Sequence, residues 1–243
     1  MTALLEIDGL TKRFGGVTAV DDCSFAVPAG SVTALVGPNG SGKTTAFNLI
    51  TGYARADAGT VRFAGAAVRR PDPIRLARSG LTRTFQQARV FPDLTLVENM
   101  VAALQQPWTS TFTRKVRRSE RDRALQLLDE FGITRLAEER AGNLSYGQKK
   151  LLEFAAVLMA DPRLVLLDEP TAGVNPVLVE QIEERIRELN ARGLTFLVVE
   201  HNMNLVMRLC DPVVVLAQGS KLAEGHPDEV RSDPRVLDAY LGG

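Results

Sequence analysis

Short apolar runs rich in β-branched residues open the chain: ALLEIDGL (Ala3–Leu10), CSFAV (Cys23–Val27) and SVTALVG (Ser31–Gly37). Turn signals such as PAG separate them, so each reads as a short strand. AGTVRFAGAAV (Ala58–Val68) reads as a further edge strand. From Thr95 the apolar period lengthens. TLVENMVAAL places apolar residues at helical spacing behind a T-x-x-E capping box. ERDRALQLLDEFGI (Glu120–Ile133) is a second amphipathic helix stopped by Gly132, and YGQKKLLEFAAVLMA (Tyr146–Ala160) is a third. RLVLLDEP (Arg163–Pro170) returns to a buried strand. PVLVEQIEERIRELNARG (Pro176–Gly193) sets Leu178, Ile182, Ile186 and Leu189 on one helical face before a glycine stop. LTFLVVEHN (Leu194–Asn202) is another buried strand, and PVVVLAQGSKLAEG (Pro212–Gly225) is a hairpin turning at Gln218-Gly219. Alternating strands and helices imply a parallel sheet covered on both faces. The pattern predicts one α/β domain with a helical lobe inset near residues 88–158.

Composition narrows the class. The 243 residues suffice for a full core, and 45% apolar with 24% charged residues is ordinary for a soluble globular protein. A formal net charge of +0 argues against binding nucleic acid through bulk charge. Cys23 and Cys210 have no metal-like spacing and sit in apolar text, as buried thiols of a reducing compartment would. The acidic start MTALLEIDGL is not a signal peptide, and no apolar run approaches the roughly 20 residues a bilayer span requires. The expectation is a cytoplasmic protein that reaches a membrane only through another subunit.

The densest chemistry lies in GPNGSGKTT: Gly37, Pro38, Asn39, Gly40, Ser41, Gly42, Lys43, Thr44 and Thr45. It fits G-x-x-x-x-G-K-[ST] and stands between a strand and the helix TAFNLI, the context this phosphate loop requires. The glycines let backbone N–H groups curl around a phosphate, Lys43 brings a point charge, and the Thr44 hydroxyl suits Mg²⁺. LVLLDEP supplies the acidic partner: Asp168 ends a buried strand as a metal acid, and Glu169 beside it is positioned to orient or deprotonate an attacking water. Alone, two acids at a strand end would be solvated carboxylates; beside a complete phosphate loop they carry function. His201 closes the next buried strand at the edge where α/β sites form. His226 has no such setting. NLSYGQKKL (Asn143–Leu151) presents a second anion-suited helix start. Its simpler reading is a capping box from Ser145 to Gln148.

Together these residues resemble the nucleotide-binding subunits of ATP-binding cassette (ABC) transporters. LSYGQ (Leu144, Ser145, Tyr146, Gly147, Gln148) looks like that family's signature sequence. The resemblance implies a P-loop NTPase core, a mainly parallel sheet flanked by helices, with an antiparallel β subdomain and an inset helical subdomain. It implies a head-to-tail pair of cassettes in which Ser145 and Gly147 contact an ATP held by the partner chain. TRTFQQ resembles the glutamine loop, with Gln86 reaching Mg²⁺ and sensing a membrane partner. Phe14 corresponds to the aromatic that stacks on adenine, His201 to the switch histidine, and TAGVNP to the loop that crosses to the other subunit, with Asn175 where many members carry an aspartate. ATP and Mg²⁺ are the implied cofactors.

A narrower resemblance runs through LTRTFQQARVFPDLTLVENMVAAL, LSYGQKKLLEFAAVLMADPRLVLLDEPTAGVNP and the ending VLDAYLGG. These look like the ATPase subunits of high-affinity branched-chain amino acid importers. That implies integral-membrane permease subunits and a second cassette, a different chain or another copy. It also implies a solute-binding protein acting indirectly, no nucleic acid, and a peripheral place at the cytoplasmic face of the inner membrane. ATPases of urea or amide importers and of lipopolysaccharide export have similar sequences, but their glutamine-loop text differs from RTFQ. Ribosome-acting members usually carry two cassettes, and DNA-repair members a long coiled coil; neither fits one short cassette. An ordinary P-loop kinase or GTPase leaves LSYGQ and His201 unexplained. The basic stretch TRKVRRSERDR (Thr113–Arg123) reads mainly as a solvated helix face, with some arginines available to anionic lipid or acidic permease residues.

Overall fold

The computed structural model describes residues 2–68, 71–104 and 116–241. Strands β1 (Ala3–Phe14) and β2 (Val17–Pro28) pair antiparallel as one long hairpin. Both run well beyond the apolar text that announces them, because cross-strand hydrogen bonding keeps polar residues such as Lys12 and Arg13 extended. Strand β4 (Ala58–Phe63) pairs with the other edge of β1, and the two-residue β5 (Ala66–Ala67) closes the sheet in the order β2-β1-β4-β5. The stretch expected to be one edge strand is therefore split, with β4 inside the sheet and only β5 at its edge. Gly59 has φ +88°, and a side chain there would meet the Gly9 carbonyl oxygen at 2.4 Å, so a tight approach between β1 and β4 excludes any larger residue.

The second sheet has the order β10-β9-β3-β8-β7-β6: β3 (Val32–Val36), β6 (Leu81–Arg83), β7 (Leu164–Asp168), β8 (Thr195–Val199), β9 (Val213–Ala217) and β10 (Ser220–Gly225). All neighbours are parallel except β9 and β10, joined by the expected two-residue turn. Gln218 (φ 49°) and Gly219 (φ 85°) both take the left-handed conformation such a turn demands. Strand β6 is not legible in the sequence, because three residues of mixed polarity carry no period; pairing with β7 makes it a strand.

Nine helices complete the described chain: α1 (Lys43–Ile50), α2 (Pro73–Arg78), α3 (Leu96–Ala102), α4 (Arg118–Glu130), α5 (Tyr146–Val157), α6 (Pro176–Ala191), α7 (Met203–Leu209), α8 (Pro227–Ser232) and α9 (Pro234–Leu241). The α3 start carries the capping box read from T-x-x-E: Glu98 N–H donates to Thr95 Oγ1 at 3.2 Å, and Thr95 N–H to Glu98 Oε2 at 2.8 Å. The second sheet separates two hydrophobic cores by strand alternation. Ala34, Val36, Val165, Leu167, Phe196, Val198, Val213 and Val215 face the core shared with α3–α6; Leu35, Leu164, Leu166, Leu197, Val199, Val214 and Leu216 face α1 and the antiparallel sheet. Every one of these positions is at most 1% exposed, the burial on both faces that parallel strands require. Cys23 and Cys210 are free and buried.

Candidate functional site

The phosphate loop leaves β3 at Gly37 and enters α1 at Lys43. Two of its glycines are sterically obligatory. A side chain on Gly37 (φ +150°) would lie 2.1 Å from the Leu216 carbonyl oxygen, and one on Gly42 (φ +100°) 2.4 Å from that of Ala19. The β9–β10 turn holds the loop from outside, with Gly219 N–H donating to the Ser41 carbonyl at 3.1 Å. Lys43 folds back into the loop and donates through Nζ to the carbonyls of Gly37 (2.8 Å) and Pro38 (3.0 Å) and to Ser41 Oγ (3.4 Å). Only 6% of Lys43 is exposed. Burial lowers its pKa, while the carboxylates of Glu169 and Asp168 pull it back up.

Those two acids stand at the end of β7. Asp168 Oδ2 accepts from Arg83 Nη2 at 2.6 Å, with both side chains 5% exposed. Glu169 adopts φ 49°, unfavourable for a side chain bearing a Cβ, and is held there by its N–H donating to the Val199 carbonyl at 2.9 Å. Its carboxylate joins two distant motifs: Oε2 accepts from Gln86 Nε2 at 2.9 Å, and Oε1 hydrogen-bonds His201 Nε2 at 3.0 Å. Buried Glu200 anchors the loop bearing His201. It accepts from the N–H groups of His201 (3.0 Å) and Asn202 (3.3 Å), and from Thr171 N–H at 2.9 Å in the facing loop.

Helix α5 begins with the predicted capping box: Gln148 N–H donates to Ser145 Oγ at 3.3 Å, and Ser145 N–H to Gln148 Oε1 at 2.9 Å. Gly147 packs against Leu178, whose Cδ2 would lie 2.4 Å from a Cβ there and would have to shift for any larger residue. Tyr146 Oη donates to the Gln86 carbonyl at 3.3 Å. One turn on, two buried ionic groups grip the glutamine loop. Lys150 Nζ donates to the carbonyls of Phe85 (3.4 Å) and Glu169 (3.2 Å), and Glu153 Oε1 accepts from the N–H groups of Phe85 and Arg89, both at 3.2 Å. Burial raises the Glu153 pKa from 4.5 to about 7, against the pull of the Arg89 and Phe85 amides. A carboxyl with a raised folded pKa stabilises the fold below its unfolded value and loses that contribution as pH rises through about 7. The difference is on the order of 3 kcal/mol. Glu153→Gln keeps an oxygen for both amides and cannot ionise. Thermal melts of the wild type are expected to fall between pH 5 and 8 more steeply than those of Glu153→Gln; parallel curves would refute this assignment.

The fold thus gathers the phosphate loop, Asp168, Glu169, Gln86 and His201. Ser145 and Gly147 make no hydrogen bond to the phosphate loop among the described residues. Phe14 ends β1 with 53% of its surface exposed, and its hairpin partner β2 reaches the phosphate loop where Val20 packs beside Gly42. Asn175 caps α6, its Oδ1 accepting from Leu178 N–H at 2.9 Å. His226 caps α8. Residues 113–115 of the basic stretch lie outside the described residues; on α4, Arg121 pairs with Glu138 and Arg123 with Asp161. Arg83, Lys150, Glu153 and Glu200 do not stand out in the sequence. Lys150 carries a usable signal all the same: a charge on the stripe Gly147, Leu151, Phe154 of an otherwise apolar helix face.

A glycine-bounded loop with an inward cation, facing a carboxylate tied to an amide and an imidazole, is equipped to hold a polyphosphate and activate a water beside it. The ABC transporter family model matches residues 20–172, and the model described as branched-chain amino acid ATP-binding cassette transporter matches residues 220–243. The high-affinity branched-chain amino acid transport ATP-binding protein BraF of Pseudomonas aeruginosa is 40% identical, over 98% of both chains. Among solved structures, the ADP conformation of MJ1267, an ATP-binding cassette of an ABC transporter, superposes with a TM-score of 0.90 at 35% identity over 100% of both chains. A dimeric post-hydrolysis state of the cassette MJ0796, bound to ADP and Pi, superposes at 0.80 and 25% identity, covering 92% of this chain and 98% of that one. The protein with this sequence belongs to the ABC transporter family, among the branched-chain amino acid transport ATP-binding proteins, and is an ATP-hydrolysing cassette.

Proposed function

We propose that this cassette powers import of branched-chain amino acids through separate permease subunits. The observation that carries the proposed mechanism is the Glu169 carboxylate, bonded at once to Gln86 of the glutamine loop and to His201. Lys43 and the loop amides hold the outer phosphates of ATP, and Phe14 supports the adenine. Glu169 accepts the proton of the water that displaces ADP from the γ-phosphate, and His201 orients that carboxylate and the phosphate. Thr44, Gln86 and Asp168 offer oxygen donors only, the set that suits Mg²⁺. That ion, when bound, neutralises charge on the phosphates. Ser145 and Gly147 of one cassette complete the ATP site of the other, with Leu144, Tyr146 and Gln148 shaping that helix start and Asn175 fixing the loop beside it. The second cassette is a different chain or another copy.

No helix among the described residues is long and apolar enough to cross a membrane. The permease then holds the cassette at the cytoplasmic face of the inner membrane. An apolar groove supports this docking: Tyr53, Leu76, Phe85, Phe91 and Ala103 line it, with Tyr53 and Phe91 half exposed. A permease helix seated there touches the glutamine loop, which Glu153 and Lys150 tie to α5. The test is purification of the membrane complex through a tag on this chain. Two permease subunits and a second cassette are expected, with hydrolysis stimulated by a branched-chain amino acid binding protein. A soluble partner without a permease would overturn transport and leave the ATPase chemistry intact.

A further inference from the structure

Arg83 has no part in the chemistry above, yet its guanidinium makes three side-chain hydrogen bonds beside the site. One arm, Nη2, donates to Asp168 Oδ2 at 2.6 Å. The other, Nη1, donates to Asn48 Oδ1 at 2.7 Å and Thr51 Oγ1 at 3.1 Å, on and just after the helix that follows the phosphate loop. The rings of Phe47, Tyr53 and Phe85 stand 5.3, 5.9 and 5.2 Å from its centre. Its Nε is buried without a partner among the described residues. A buried ion pair with one donor unpaired among the described residues adds little stability over an apolar pair of the same volume, so fold stability is a poor explanation for it. Geometry offers a better one. Asp168 Oδ1 accepts no hydrogen bond among the described residues and is not sealed from solvent. One carboxylate oxygen is therefore fixed to α1 through Arg83 and the other is left available.

We propose that Arg83 is a positioning residue for the metal acid: its planar fork locks Asp168 to α1, so that the carboxylate offers Oδ1 to the divalent cation in one fixed orientation relative to the phosphate loop. A single ammonium in its place would keep the charge and lose the fork. Groups that orient a metal-ligating carboxylate typically contribute roughly ten- to a hundredfold to metal affinity. The same side chain also lines the apolar groove, so the metal acid and the docking surface share one residue.

This inference rests on reading Asp168 as the metal acid, and the experiment separates the two. Mn²⁺ is titrated into the full chain saturated with a non-hydrolysable ATP analogue, and bound Mn²⁺ is read by electron paramagnetic resonance against a nucleotide-only control. Arg83→Lys is expected to weaken Mn²⁺ binding roughly ten- to a hundredfold and to raise the Mg²⁺ concentration needed for half-maximal turnover. Binding of the analogue in EDTA should stay at the wild-type level. Asn48→Ala removes one anchor of the fork without touching metal or nucleotide, and should shift Mn²⁺ affinity in the same direction by less; it decides the matter if Arg83→Lys does not fold. Wild-type Mn²⁺ affinity in Arg83→Lys, or in Asn48→Ala where Arg83→Lys does not fold, with binding lost in Asp168→Asn, overturns the role of Arg83 alone. Wild-type affinity in Asp168→Asn overturns the metal-acid reading and this inference with it.

Discussion

Glu169→Gln is expected to bind ATP with near wild-type affinity and to lose hydrolysis. The carboxylate accepts from Gln86 at 2.9 Å and bonds His201 at 3.0 Å, with 15% of the side chain exposed. The amide has the same shape but cannot take a proton from water. Loss of a general base typically lowers turnover by roughly a hundred- to ten-thousandfold. On the proposed split site, hydrolysis is the step that reopens the cassette pair, so the variant should accumulate as an ATP-dependent dimer. Single-turnover assays measure the chemistry, and size-exclusion chromatography with ATP measures the dimer. Unimpaired turnover would remove Glu169 as the base. Lost turnover without dimer accumulation would leave the base in place and assign the second cassette to a different chain.

Lys43→Ala is expected to fail one step earlier, at binding. Lys43 is buried inside the loop with its ammonium on the Gly37 and Pro38 carbonyls, and it is the charge proposed to hold the outer phosphates. Charge-assisted hydrogen bonds contribute about 1.5–3 kcal/mol each. Loss of one or two of them should weaken ATP binding by roughly a hundredfold. The variant also leaves the Gly37 and Pro38 carbonyls without the partner they hold here, so a modest loss of thermal stability should accompany it. Titration with a fluorescent ATP analogue tests the first effect. Wild-type affinity and full hydrolysis would mean that the phosphates lie elsewhere.

Lys43 and Glu169 are legible in the sequence because their signals are local. The phosphate loop is a run of consecutive residues whose glycines, lysine and threonine act through backbone geometry within one turn. The capping boxes at Thr95 and Ser145 and the turn at Gln218-Gly219 are local too, and each forms as its residues predict. Asp168 and Glu169 are legible as a pair after a buried strand. What bonds to them is not. Arg83 and Asp168 are 85 positions apart, and Glu153 and Phe85 are 68 apart. The first pair exists only because β6 lies beside β7 with Arg83 opposite Leu166, and the second only because α5 packs Glu153 against the loop that leaves β6. Strand register sets which loops emerge side by side at the sheet edge, and a one-residue slip would turn every side chain to the other face. No local pattern encodes that register for a strand as short and mixed as Leu81–Arg83. The order of residues is enough to nominate the groups proposed to hold a phosphate and move a proton. Which partner restrains each of them is settled only by the packed fold, because buried charges must find partners wherever packing brings them.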